Sequence, residues 1–368
     1  MVSVCAFVVA ACGGAQLSTP HATSTPAVPS SVPSIAASTS SVLATPTSTT
    51  TTVVASSTIV PRPTVVRGGL VDVGVTDAVA ISDNCALRKT GQVVCWLPSD
   101  VSPGDTIAVT TIPGLDDAVM IDSGGSGTAC AVRRGGKVVC WGRFGAFASV
   151  GNEVPVEVAA LGPMVGVATG WGFACSWSSI GLAWCWTTGG RFPFAATSVT
   201  SSSTPVQVPG LHDVVQIAAG WDQACARERA GAVYCWGNNE SGQLGDGTRF
   251  MSRVPVLATR FGDSIGLSAD ETTCSLHRDS SITCLGYRSF GSVAEETPPD
   301  TAGVARIRIV DGARVCALGT DSVVTCWGID SEQIGHWGHV VDLESSIGYL
   351  CLLFDTAHLA CLEFAHGE

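Results

Sequence analysis

The sequence predicts an all-β protein: a seven-bladed β-propeller of four-stranded antiparallel blades with one hairpin disulfide per blade, preceded by a disordered stalk. Three observations predict this fold. Fourteen cysteines form seven pairs of identical spacing, the pairs recur at steps of 35 to 50 residues, and the sequence has no amphipathic helical pattern. With 46% hydrophobic and only 14% charged residues among 368, the chain can bury a large core.

Each cysteine pair has nine residues between its members, a spacing that a β-hairpin accommodates. The pairs are Cys85 and Cys95, Cys130 and Cys140, Cys175 and Cys185, Cys225 and Cys235, Cys274 and Cys284, Cys316 and Cys326, and Cys351 and Cys361. A three-residue loop places the two cysteines opposite each other, and its third position then needs a positive φ. Four units have glycine there, namely Gly91, Gly136, Gly181 and Gly231. The other three have Ser280, Ser322 and Ala357, where we expect strained or different turns.

Directly opposed cysteines in an antiparallel ladder are close enough to form a bridge, so this register predicts seven disulfides within blades. Zinc ligation is the competing interpretation, but zinc sites favour cysteines two to four residues apart, and histidines do not recur with the period. Reduced core cysteines are the other alternative. Sixteen cysteines in total favour an oxidising compartment.

Three further features recur with the cysteines. The second cysteine is followed by tryptophan in five units, at Trp96, Trp141, Trp186, Trp236 and Trp327. A small residue, suited to a crowded inner strand, stands five positions before the first cysteine at Ala80, Gly125, Gly170, Gly220, Ala269 and Ser346, with Asp311 as the exception. Short extended segments, as at Pro155–Val158, Pro205–Val208 and Pro255–Leu257, lie about twenty positions before it.

The fourth unit carries a family resemblance. Its segments 220–226 (Gly-Trp-Asp-Gln-Ala-Cys-Ala) and 233–248 (Val-Tyr-Cys-Trp-Gly-Asn-Asn-Glu-Ser-Gly-Gln-Leu-Gly-Asp-Gly-Thr) resemble the regulator of chromosome condensation repeat. The resemblance spans roughly residues 64–364, although the other units keep only part of the motif. It implies a seven-bladed propeller with four-stranded blades, and the paired cysteines imply the bacterial secreted or lipoprotein type.

The propeller is expected to occupy residues 63–364. Because little chain follows Cys361, the seventh blade lacks an outer strand of its own. The segment 63–66 (Pro-Thr-Val-Val) stands 22 residues before Cys85, near the place of the extended segments in other units. We therefore expect it to pair with the last blade, close the ring and remove an exposed sheet edge.

Residues 1–12 form a short apolar run whose length suits a signal peptide. Its end, Val-Ala-Ala-Cys12-Gly-Gly, resembles the lipobox of bacterial lipoproteins, which implies lipidation of Cys12. No Lys or Arg precedes the run, so a start upstream of Met1 and a chance apolar N-terminus stay open as alternatives. Residues 13–62 are rich in Ser, Thr, Pro and Ala and nearly uncharged, which predicts a disordered stalk.

No catalytic residue, metal site or cofactor is predicted. The histidine pair His336 and His339 lacks a third ligand, and the glycine-rich run 242–248 lacks the lysine of a phosphate-binding loop. Glu295-Glu296 is expected to be a solvated turn. Trp171 and Trp221, each four residues before a cysteine, are the weak binding candidates, with a structural role at the blade top as the alternative.

The net charge of −12 argues against nucleic acid and against a polybasic contact with lipid. We expect a monomeric, surface-displayed, non-enzymatic binding or scaffold propeller for protein or glycan ligands in the cell envelope. It would touch the bacterial outer membrane or cell surface only through its lipid anchor. Ligands would meet the variable loops 142–153, 187–203, 237–253 and 285–297. The alternatives are an inhibitor of an extracellular enzyme, a propeller glycosidase or lyase, and a guanine-nucleotide-exchange-like protein.

Overall fold

The computed structural model describes residues 70–96, 107–124, 127–142, 154–188, 204–287, 303–310, 314–328, 339–346 and 349–363. These residues form seven antiparallel sheets, which confirms the predicted seven-bladed propeller. Five sheets have four strands, and in the fifth and sixth blades the described residues supply three. None of the helical turns in these ranges is long and apolar enough to cross a membrane.

The blades follow one another along the chain, and the first strand of each blade lies nearest the propeller axis. Blade one contains β2 (Ala78–Ser82), β3 (Cys85–Arg88), β4 (Val93–Cys95) and β5 (Thr110–Thr111). Blade two contains β6 (Ala118–Gly124), β7 (Thr128–Arg133), β8 (Val138–Gly142) and β9 (Val156–Glu157). Blade three contains β10 (Met164–Thr169), β11 (Phe173–Ser178), β12 (Ala183–Thr187) and β13 (Val206–Gln207).

The remaining blades repeat this order. Blade four contains β14 (Val214–Ala219), β15 (Gln223–Glu228), β16 (Val233–Gly237) and β17 (Ser252–Leu257). Blade five contains β18 (Ser264–Ala269), β19 (Thr272–His277) and β20 (Ile282–Gly286), and blade six contains β21 (Val304–Val310), β22 (Arg314–Gly319) and β23 (Val324–Gly328). Blade seven contains β24 (Val340–Ser346), β25 (Tyr349–Phe354) and β26 (Leu359–Glu363), and its outer strand is β1 (Val71–Asp72).

All seven predicted cysteine pairs are disulfides in the predicted register, with the two Cα atoms 4.0–4.1 Å apart in every blade. The first cysteine lies on the second strand of its blade and its direct partner lies on the third strand. In blade order, Cys85 is bonded to Cys95, Cys130 to Cys140, Cys175 to Cys185, Cys225 to Cys235, Cys274 to Cys284, Cys316 to Cys326 and Cys351 to Cys361. Seven disulfides indicate an oxidising environment.

The hairpin turns between these cysteines share one backbone conformation. The third turn residue has a positive φ in every hairpin, and Ser280, Ser322 and Ala357 adopt 70°, 67° and 65°. Of the two expectations for the turns without glycine, the structure therefore supports strain and not a different turn.

The tryptophan after the second cysteine packs toward the preceding blade. Trp186 of blade three is fully buried in one apolar cluster with the Cys130 and Cys140 pair of blade two. Trp236 of blade four likewise packs in one apolar cluster with the cysteines of blade three, and Trp96 of blade one packs with those of blade seven. The recurrent tryptophan therefore joins blades, while the recurrent disulfide lies within one.

The ring is closed. The inner strands contact one another in sequence, from β2 through β6, β10, β14, β18, β21 and β24 and back to β2. Hairpin carbonyls reinforce these contacts: Gly91 accepts a hydrogen bond from the Ala118 N–H at 3.0 Å, and Ala357 accepts one from the Ala78 N–H at 3.1 Å. The second of these bonds joins blade seven to blade one.

The closing strand β1 pairs with β26, with Val71 opposite Cys361. Residues 63–66, which were expected in this place, lie outside the described residues. The expected position, counted back from Cys85, lies too close to the N-terminus because the turn between the inner and second strands is shorter in blade one. Ser82 and its partner Cys85 are three residues apart, whereas the equivalent partners Ala218 and Cys225 are seven apart.

Candidate ligand-binding site

The inner strands alternate between an apolar face and a face that lines the axis. The residues directed into the blades are all buried aliphatic side chains: Ile81, Ile121, Val167, Ile217, Leu267, Ile307 and Leu343. Their neighbours opposite the first cysteine are varied: Ser82, Asp122, Ala168, Ala218, Ser268, Arg308 and Glu344. These neighbours line an axial cavity of about 800 Å³. Three members of the apolar set, Val167, Ile217 and Leu267, contact the cavity as well.

The charged wall of the cavity comes from blades six, seven and two. Arg308 Nε donates to Glu344 Oε1 at 2.5 Å. Next to this pair, outside the cavity lining, Arg306 Nη1 donates to Asp342 Oδ1 at 2.8 Å. Asp122 accepts two hydrogen bonds of 2.6 Å from the backbone N–H and the hydroxyl of Thr169 on blade three. Each of these interactions joins neighbouring inner strands, so they also stabilise the packing of neighbouring blades.

Burial perturbs these groups. It raises the pKa of Asp122 to about 6, against the hydrogen bonds from Thr169 and the charge of Arg308, which lower it. It raises the pKa of Glu344 to about 7, although Arg308 opposes that shift. For Arg308, burial lowers the pKa, but the carboxylates of Glu344, Asp342 and Asp122 outweigh it, so the pKa is raised. Glu344 and Asp122 therefore titrate near neutral pH.

The opposite wall, from blades three to five, carries small side chains such as Ala168, Ala218 and Ser268, which leave the space of the cavity open. Five carboxylates and two arginines line the cavity, a net charge of −3 when all are ionised. They are Asp83, Asp122, Asp270, Glu271, Glu344, Arg227 and Arg308. The charge of the lining is thus acidic.

The disulfides lie behind this wall and take no part in the site. Among the described residues, no cysteine lines the cavity. The second cysteines, on the third strands, are one strand further from the axis than the first; they are Cys95, Cys140, Cys185, Cys235, Cys284, Cys326 and Cys361. The predicted cysteines therefore support the blades and do not contact a ligand in the cavity.

The rim of the cavity, where the inner strands end, carries Trp171 and Trp221. Their rings are stacked with centroids 4.6 Å apart at an interplanar angle of 24°, and the two residues are 41% and 42% exposed. The Trp171 N–H donates to the Gly220 carbonyl, and the Trp221 N–H donates in the same way to the Asp270 carbonyl. Because Gly220 and Asp270 are equivalent, Glu271 occupies in blade five the position that tryptophan occupies in blades three and four.

The structure places both predicted tryptophans together on one face, half-exposed, and their role in binding stays a prediction. The loop 237–253 is described and is held internally. Asn239 Nδ2 donates to Asp246 Oδ1 at 3.1 Å, and the Leu244 N–H donates to Asn239 Oδ1 at 3.0 Å. The glycine-rich run inside it is a blade-connecting turn. The loops 143–153, 189–203 and 288–297 lie outside the described residues, as do Cys12, Glu295-Glu296, Asp311 and His336.

The charged wall of the cavity was not predicted from the sequence. Asp122, Arg308 and Glu344 occupy one equivalent position of the repeat, opposite the first cysteine. They stand eight, eight and seven residues before that cysteine. The sequence therefore carries a pattern of charged residues seven or eight positions before the cysteine, whereas the pattern of small residues lies five positions before it. Within the described residues, no group of three His, Cys, Asp or Glu side chains could hold a metal ion.

The comparisons with known proteins agree with this architecture. Two models of the Regulator of chromosome condensation (RCC1) repeat match the chain, over residues 214–243 and 230–268. These matches cover blade four and the start of blade five. Together with the seven sheets, these matches support an RCC1-repeat β-propeller. No curated protein matches it in sequence.

Solved structures share the fold at low sequence identity. Yeast RCC1 (Prp20) bound to Kap60 aligns with a TM-score of 0.58 and 15% identity, over 71% of this chain and 74% of that one. Prp20p from Saccharomyces cerevisiae gives 0.58 and 14%, over 76% and 80%. Human WBSCR16 gives 0.59 and 17%, over 80% and 87%. At these identities the likeness is one of fold.

Proposed function

We propose that this chain is a non-enzymatic binding propeller, displayed on the bacterial cell envelope, whose ligand is a protein or a glycan. The observation that carries the proposal is the stacked, half-exposed pair of Trp171 and Trp221 at the rim of an axial cavity. Tryptophan is enriched at the energetic centres of protein interfaces, and aromatic side chains are common in ligand-binding pockets.

A binding role is favoured over an enzymatic one because the charged groups opposite the first cysteines, Asp122, Arg308 and Glu344, are already engaged. Arg308 is paired with Glu344, and Asp122 accepts both of its hydrogen bonds from Thr169. A general acid or base must reach the proton that it transfers, whereas these groups bind one another across blades. We therefore assign them to the rigidity of the scaffold.

Protein ligands have precedent among propellers of this fold. One solved neighbour is yeast RCC1 bound to Kap60, and a second, Prp20p, has binding properties to Gsp1p and histones. A narrower form of the proposal is an inhibitor of an extracellular enzyme, which would also use an exposed aromatic rim.

The display of the propeller would depend on the N-terminal segment. In this proposal residues 1–12 are a signal peptide, Cys12 is lipidated, and residues 13–62 form the stalk. The test is metabolic labelling with palmitate. The full chain should take up label and the Cys12→Ala variant should not, while both contain the seven disulfides. Equal labelling of the two, or no label in either, would refute the anchor.

The binding function is tested by affinity capture from the native cell envelope with the full chain. We expect one partner to be retained by the wild type and lost by the Trp171→Ala/Trp221→Ala variant. The Ile180→Ala variant is the matched control, because Ile180 is an exposed apolar residue in the hairpin turn between β11 and β12, outside the rim and the variable loops. Glycan retention with turnover would replace the proposal by an enzymatic one. A partner lost equally from the control would place the contact elsewhere.

A further inference from the structure

We propose that the rim binds a cation, the guanidinium or ammonium group of a basic segment in a protein partner, held between the indole of Trp221 and the carboxylate of Glu271. This inference rests on the proposed binding function and specifies its ligand. The proposed site depends on three features: an indole face, a neighbouring carboxylate and a cavity of net negative charge.

The first feature is the orientation of the indoles. Trp171 from blade three covers one face of Trp221 in the stack, which leaves the other face of Trp221 uncovered by Trp171. A cation over the face of tryptophan is attracted by the ring quadrupole, and tryptophan is the strongest of the aromatic residues in this respect. Since Trp221 is 42% exposed, a ligand can reach it from solvent.

The second feature is the carboxylate that follows round the rim. Glu271 takes in blade five the position of Trp221 in blade four, as the matching backbone hydrogen bonds show. Within the described residues, its carboxylate makes no hydrogen bond or ion pair and is only partly buried. A carboxylate beside an indole face supplies the charge-assisted hydrogen bonds that a guanidinium needs along its edge.

The third feature is the electrostatic field. The cavity lining carries five carboxylates against two arginines, and the whole chain has a net charge of −12. Such a field attracts cations over long range and repels anionic ligands. A neutral sugar gains nothing from this field. The geometry therefore favours a cation over a glycan at this site.

The test measures binding to the full chain by calorimetry at low and physiological salt. The probe is an eight-residue peptide of alternating arginine and serine, and its control is the same peptide with citrulline, which is isosteric and uncharged. We expect the arginine peptide to bind at least tenfold more tightly than the citrulline peptide. A chitin hexasaccharide serves as the glycan probe and should not bind.

Variants then locate the site. Glu271→Gln and Trp221→Leu should each weaken the arginine peptide about five- to tenfold, a loss in the range of one cation–π contact or charged hydrogen bond. Asp116→Asn is the matched control, because this highly exposed carboxylate lies at the other end of the propeller, and it should change affinity less than twofold.

Equal binding of the citrulline peptide would overturn the proposal, as would equal losses in Glu271→Gln and Asp116→Asn, which would indicate general attraction to an acidic chain. Binding of the hexasaccharide that depends on Trp221 would assign the rim to a glycan instead. The two proposals fail separately. If Glu271→Gln still captures the envelope partner that the double tryptophan variant loses, the binding function stands and the cation site is wrong.

Discussion

The third residue of each disulfide hairpin offers a direct test of how the blades fit together. Ser280 adopts a φ of 70°, in the left-handed region that costs a residue with a side chain about 1–2 kcal/mol. Glycine avoids this cost, but its greater conformational freedom stabilises the unfolded chain by about 0.5–1 kcal/mol. The Ser280→Gly variant should therefore be more stable by about 0.5–1 kcal/mol.

Burial changes the outcome at the equivalent position of blade seven. Ala357 has the same conformation but is only 5% exposed. The Ala357→Gly variant removes a buried methyl group worth about 0.8 kcal/mol, which cancels the relief of strain. We expect no measurable change in stability. The matched pair thus separates the backbone contribution from the packing contribution.

The reverse substitution depends on the next blade. A Cβ added at Gly231 would lie 3.3 Å from the Asp263 Cα, so Gly231→Ala should cost about 1 kcal/mol, mainly from strain. A Cβ added at Gly181 would overlap the backbone of Asp213, where nothing can rotate away. Gly181→Ala should therefore cost well over 2 kcal/mol.

Thermal unfolding followed by circular dichroism measures this series, with a shift of about 2 °C for each kcal/mol in a domain of this size. The expected order of stability is Ser280→Gly, then wild type and Ala357→Gly together, then Gly231→Ala, then Gly181→Ala. If Gly181→Ala is no worse than Gly231→Ala, the close approach between blades is not what selects glycine. A less stable Ser280→Gly would refute the assignment of strain.

Two further predictions concern the disulfides and the axial cavity. The Cys225→Ser/Cys235→Ser variant should lose about 2–3 kcal/mol, because its eleven-residue loop no longer restricts the unfolded chain, and an unchanged melting temperature would contradict this. Burial raises the pKa of Asp122 to about 6 and that of Glu344 to about 7, so the folded state binds protons more readily than the unfolded one. The free energy of unfolding should therefore rise as pH falls from 8 to 5. In the Asp122→Asn variant the contribution of Asp122 to this rise, at most about 3 kcal/mol, should be lost. Melting temperatures across this pH range test it, and a flat profile in the wild type would count against the raised pKa values.

The blade count and the hairpin register could be predicted because both depend on one fixed local distance. Nine residues between two cysteines determine the turn, the facing pair and the disulfide, whatever the rest of the blade does. The outer strands β9, β13 and β17 could also be predicted, because a proline-valine pair lies at the start of β9 and β13 and inside β17.

The axial face could not be predicted by the same counting. The turn between the inner and second strands varies in length, so a fixed offset from the cysteine joins residues that are not equivalent. Five residues before the cysteine lie both Ala80, inside β2, and Gly220, beyond the end of β14. The partner of Cys85 is Ser82, whereas the partner of Cys130 is Asp122, eight residues before it. Trp171 and Trp221 share a spacing from the cysteine, but that spacing does not show that their rings stack, because the stack depends on how the ring brings blades three and four together.

The pairing of β1 with β26 has a consequence for the order in which the protein can be assembled. Six blades consist of strands that are close together in the chain, so their hairpins can form and oxidise as they are made. The ladder of the seventh joins Val71 to Cys361, almost the full length of the propeller apart. A chain that crosses a membrane N-terminus first would therefore export β1 before every other strand and use it last. Until Cys361 arrives, the ring is an open arc with a sheet edge exposed at each end, and a chaperone or a second chain could occupy either edge.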